Sequence, residues 1–239
     1  ETGAIISTSG YATHFGVNSA DLLTIYACDI ARLAGWEQHV WAAHNVPPEG
    51  KVSRELLASQ IRAQPASTHA VEELLFVSMR KLEKGFERKF GAKLFKHQID
   101  DGSAMQQISR FHCRDQASLL RLAKEIIRVF SDRLNLRELR KLSSHAEKDK
   151  LGSNKLLQDV LAKKIGEERA RQVFGPIVGA YDLRVGDAHP TSSKIGDALE
   201  LAGIDESQSY LRQGEQLIHN VGYSVWCIGK LLFEEKGNP

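Results

Sequence analysis

The chain has 239 residues, 42% hydrophobic and 26% charged, with a formal net charge of +2. This is the balance of a soluble globular protein with one substantial core or two small ones. No apolar run approaches the roughly 18–20 residues needed to cross a bilayer, and no low-complexity tract occurs.

The opening ETG, without an initiator methionine, reads as a remnant at the edge of a longer protein. AIISTSGYATHFG is β-like or extended, too short and isolated to define a sheet. From Ser19, a suitable N-cap, Leu22, Ile25, Ala27, Ile30, Leu33, Trp36, Val40 and Trp41 recur at three- and four-residue steps, which predicts a helix. Pro47 and Pro48 end it, and Ser53 caps a short helix that stops before Pro65. Val71, Leu74, Leu75, Met79, Leu82, Phe86 and Phe90 then mark one face of a long amphipathic helix with Gly91 just beyond its end.

After a loop and a short helix, Asp115 caps a long helix predicted to bend near Leu134–Leu136. Ser153 caps the next, and Pro176 suits the first turn of another running through IVGAYDLRVGDA. Ser193 caps KIGDALELA, with Gly203 after it. A long closing helix contains VGYSVWCIGKLLF, the longest apolar stretch, interrupted by Lys230 and read as buried. The expectation is an all-α multi-helix bundle: an extended segment over 1–16, then a single helical domain over 17–239.

Cys28, Cys113 and Cys227 are odd in number and far apart, without a CxxC. They read as buried free thiols in a reducing cytoplasm. His39 and His44 are spaced wrongly for a metal pair on a helix, His112–Cys113 reads as one exposed and one buried residue, and Trp36 and Trp41 read as core. No phosphate-binding glycine loop, dinucleotide fingerprint, HExxH or GxSxG occurs, and neither metal nor cofactor is expected. Charge is uneven: +5 over 80–97, +7 over 110–171 and −4 from 172 onward, so the middle of the chain permits a phosphate-rich partner.

The stretch YDLRVGDAHP, residues 181–190, holds the most chemistry. Arg184 and His189 suit attack of a ribose 2′-OH on its neighbouring phosphodiester. A planar guanidinium holds the phosphoryl oxygens, and an imidazole moves the proton. Asp187 would orient either group, and Tyr181 lies one helical turn before Arg184. Arginine followed by histidine after four to six residues also occurs at Arg32/His39, Arg62/His69, Arg140/His145 and Arg212/His219. Arg184/His189 differs in lying among Gly175, Gly179 and Gly186, with His189-Pro190 ending the helix; Arg140/His145, in the basic region, is the rival. The alternative is a satisfied helix end, with Arg184 paired to Asp187 and His189 at the C-terminal end of the dipole.

An R-x4–6-H motif near the last helices of an all-α protein resembles the HEPN (higher eukaryotes and prokaryotes nucleotide-binding) ribonucleases. The resemblance covers the motif and about the last hundred residues. It implies a homodimer with a composite cleft that cuts RNA without metal, in a bacterial defence or stress-response system, with Arg184 and His189 catalytic. Val185 stands where that family often has a polar residue. The other readings are a non-catalytic helical module for dimerisation or for binding other domains of a longer protein, and RNA binding without cleavage.

Overall fold

The computed structural model describes residues 2–64, 70–96, 107–145, 147–186 and 192–233. It is an all-α, multi-helix fold with a small sheet at its N-terminal end. Two compact units divide it, Glu1–Ala70 and Val71–Pro239, so the division falls at 70/71 rather than at 16/17.

In the first unit β1 (Thr2–Ile6), β2 (Ala12–Val17) and β3 (Leu23–Ile25) form an antiparallel sheet in that order. The extended N-terminal segment therefore has partners, and the helix expected from Ser19 does not form. The reason lies at Asn18. Its Oδ1 accepts from the N–H groups of Ala20 and Leu22 at 2.9 and 3.0 Å, and Asp21 takes φ +59°, closing a turn where the helix was to start. Leu23, Thr24 and Ile25 then pair with β2. In its place stand two short helices, α1 (Ala27–Ile30) and α2 (Gly35–Ala43), and neither has a buried residue. Trp36, expected in the core, is 58% exposed. Helix α3 (Arg54–Leu56) is capped as expected, with Ser53 Oγ accepting from Leu56 N–H at 3.1 Å, and continues as a π-helical turn, Leu57–Ile61. Pro65, with His69, lies outside the described residues.

The second unit carries the core. Helix α4 (Val71–Phe90) buries Leu75, Phe76, Met79, Leu82 and Phe86 completely, and Gly91 follows it at φ +65°. Glu83 ties the chain beyond it: its carboxylate accepts from Leu94 and Phe95 N–H at 2.9 and 3.1 Å, and burial raises its pKa above the usual carboxylate range against those two bonds. Helix α5 (Gln116–Val129) begins at Asp115, whose carboxylate accepts from Ser118 N–H at 2.8 Å. The long helix predicted beyond it is two helices. Residues 130–135 turn away to meet the α4–α5 connection, with Asn135 N–H on Leu94 O at 2.7 Å, and α6 (Leu136–Leu142) starts afresh.

Helix α7 (Ser153–Ile165) has Gly152 rather than Ser153 at its cap, and the Ser153 hydroxyl donates instead to Ser131 O at 2.9 Å. Pro176, expected in a first turn, sits inside α8 (Glu167–Gly186). A proline there removes the donor that Gln172 carbonyl would receive. The carbonyl beside it, Val173 O, takes the buried Ser224 hydroxyl at 2.5 Å. Helix α9 (Ser192–Ala202) packs tightly on α8: a Cβ on Gly179 would lie 2.4 Å from Ala202 N and 2.7 Å from Ala198 O. The side chain of Ser193, the expected cap, lies outside the described residues.

Helix α10 (Tyr210–Phe233) lies parallel to α4, with Gly222 against Leu75, Gly229 near Leu82 and Phe233 against Gly85. No helix among the described residues is long and apolar enough to cross a membrane. Cys28 is exposed and Cys227 half-buried, against expectation, while Cys113 is buried and its thiol pushed up to about 12, by burial first and then by the charge of Asp115.

Candidate functional site

The rotation of α8 is set by its core residues. Ile177, Ala180 and Leu183 are fully buried, so Tyr181 and Arg184 reach the surface on the other side of the helix. Arg184 is in the last turn of α8 with its side chain one-third exposed. Its Nη1 donates to both carboxylate oxygens of Asp132, at 2.8 Å each. Asp132 belongs to the turn that follows α5, so the guanidinium joins the C-terminal ends of α5 and α8. Among the described residues Nη2 and Nε have no acceptor.

The Arg184 guanidinium lies 6.0 Å from the centre of the Tyr181 ring, and Tyr181 is 44% exposed. The structure thus brings Tyr181 and Arg184 together, as their spacing implies. Asp182 keeps an exposed edge, yet the protein packed around its carboxyl disfavours the charge and raises its pKa above the ordinary value. Asp187 and His189 lie outside the described residues.

The rival pair is built differently. Arg140 Nη2 donates to Asp149 O at 3.1 Å, and its Nε lies 3.8 Å from the same residue's carboxylate. His145 Nδ1 accepts from Glu147 N–H at 3.2 Å, and the His145 backbone N–H donates to Ser143 Oγ at 3.2 Å. Each of the two is engaged by a different neighbour in the loop from Ser143 to Lys150. Of the remaining matches, Arg212 is joined to Glu215 at 2.5 Å and Arg32 to the Tyr11 hydroxyl at 3.1 Å.

Asp132 is the site residue that spacing does not reveal, because it lies 52 positions from Arg184 and on a different helix end. Its only sequence signal is an acidic residue where the long predicted helix breaks. No group of three or more His, Cys, Asp or Glu able to hold a metal occurs among the described residues. A scan against protein-family models and searches of curated proteins and of solved structures find no match to this chain.

Proposed function

We propose that the protein is a HEPN-type, metal-independent endoribonuclease, working as a homodimer in the cytoplasm in a bacterial defence or stress-response system. The observation that supports this reading is the setting of Arg184. One nitrogen is anchored on Asp132 and the rest of the fork is uncommitted among the described residues, in the helical turn that runs directly into the segment carrying His189. In the reaction the ribose 2′-oxygen bonds to phosphorus, the bond to the 5′-oxygen breaks, and charge builds on the phosphoryl oxygens. Arg184 stabilises that charge, His189 moves the proton at the attacking or leaving oxygen, and Asp187 and Tyr181 support the pair.

Incubation with mixed RNA in EDTA is expected to give 2′,3′-cyclic phosphate and 5′-hydroxyl ends. The activity should vanish in His189→Ala and Arg184→Ala and persist in His145→Ala. Loss in His145→Ala alone would move the site to Arg140 and His145.

One observation favours the second reading, a non-catalytic interaction module. On α10, His219 stacks with Tyr223 at 6.2 Å and Tyr223 with Trp226 at 5.4 Å, while Lys230 Nζ lies 4.9 Å from the Trp226 ring centre. Tyr223 is 53% exposed. That reading predicts association that survives moderate salt and ignores Arg184→Ala and His189→Ala.

A further inference from the structure

Helix α5 buries Leu119, Leu120, Leu122, Ala123, Ile126, Ile127 and Val129, and so offers solvent little more than the stripe of Arg121, Lys124, Glu125 and Arg128. Arg121, Glu125 and Arg128 of this stripe, together with Gln107, His112 and Arg114 ahead of the helix, line a cleft of about 640 Å³, with buried Leu122 at its base. The volume is in the ~300–1,000 Å³ range of sites that take ligands.

The lining carries three arginines against two carboxylates, and both carboxylates are engaged. Asp115 accepts from the N–H and hydroxyl of Ser118 at 2.8 and 2.7 Å, bonds that hold its pKa below the usual range. Glu125 lies 2.7 Å from Arg128, which also donates to Gln107. The Arg114 backbone N–H donates to Ser118 Oγ at 2.9 Å, but the guanidinium groups of Arg114 and Arg121 have no hydrogen bond or close ion pair among the described residues; each acts on Asp115 only through space. Two guanidinium forks without a partner among the described residues, side by side in an open cleft, are suited to phosphate oxygens, which they can hold in pairs.

The direction of the cleft adds the second argument. Arg121 and Arg128 follow one face of α5, and Asp132 is one turn further along the chain. Asp132 is the residue that holds Arg184. The cleft thus runs along α5, ~20 Å from the cap residue Asp115 to Arg128 at 1.5 Å per residue, toward the helix end that leads to Asp132.

We propose that this cleft binds the phosphate backbone of single-stranded RNA and leads it toward Arg184. That the anion is RNA rests on the nuclease reading; the cleft and its two arginines do not. Its length suits a strand of a few nucleotides.

The test uses the full chain carrying His189→Ala and a fluorescein-labelled single-stranded RNA of about 12 nucleotides, read by anisotropy over a salt series. Arg114→Ala/Arg121→Ala is expected to weaken binding about tenfold or more at low salt and to flatten the slope of log affinity on log salt by ~1.4, about 0.7 per phosphate contact. Arg169→Ala/Arg171→Ala removes the same charge from α8, outside the cleft, and should change binding much less; thermal melting confirms that both variants fold.

Equal loss in the two double variants would overturn the cleft as a site. Poly-glutamate bound as tightly as RNA, with the same dependence on Arg114 and Arg121, would overturn RNA as its occupant. The nuclease reading is judged separately, in the His189-intact chain. Cleavage unaffected by Arg114→Ala/Arg121→Ala sinks the cleft and keeps the nuclease. Binding that depends on Arg114 and Arg121 without any cleavage keeps the cleft as a nucleic-acid site and sinks the nuclease.

Discussion

Asp132 meets Arg184 through Nη1 alone, and both side chains are a third or more exposed. Water screens such a pair, so its contribution to stability is about 0–1 kcal/mol. Its effect is on position. Asp132→Asn is therefore expected to leave the denaturant midpoint nearly unchanged while lowering RNA cleavage about tenfold, because the guanidinium loses its anchor. Arg184→Lys keeps the charge and loses the planar fork, and should lower cleavage by about a hundredfold or more without changing the melting temperature. Unchanged cleavage in both variants would remove Arg184 from the site. At this scale the sequence is informative where chemistry is local: Arg184 and Tyr181 are one turn apart and do share a surface. It is silent where the partner is remote, since nothing in the spacing of residues 181–190 points to a carboxylate 52 positions earlier.

Among the elements, helices with a buried stripe are legible and those without one are not. The α4 pattern marks a real core face, with Leu75, Met79, Leu82 and Phe86 fully buried. The equally regular pattern from Leu22 to Trp41 does not, because the Asn18 turn and strand pairing decide the backbone before helical period can. The cap at Asp115 gives a pH test. Its pKa is lower folded than unfolded, so its contribution is present above the unfolded value of about 3.9 and is lost as pH falls through the lower, folded value. Asparagine caps without a charge, so Asp115→Asn should melt below the native chain at neutral pH, and the gap should close in acid. A gap independent of pH would show that the charge contributes nothing. Between α8 and α9 the constraint is space. Gly179→Ala would gain about 1 kcal/mol in helix propensity, but its Cβ meets backbone at 2.4–2.7 Å. We expect a net loss of about 1–3 kcal/mol in chemical denaturation.

For the molecule as a whole, the buried cluster that runs from Leu75 to Leu232 lies entirely within Val71–Pro239. A chain of residues 71–239 alone is expected to unfold in one cooperative transition, read by far-ultraviolet circular dichroism. A broad, non-cooperative melt would mean that the first 70 residues are needed for folding. The helical class is legible from period and caps, whereas the 70/71 division is not, because no change in composition accompanies it. The parallel pairing of α4 with α10 has a consequence in time. Leu75 and Gly222 touch although about 150 residues separate them, and a ribosome adding ~5–20 residues per second needs roughly 7–30 s to deliver the second after the first. Throughout that interval the apolar side of α4 has been made and its mate has not, so the newborn chain presents a sticky surface during its own synthesis.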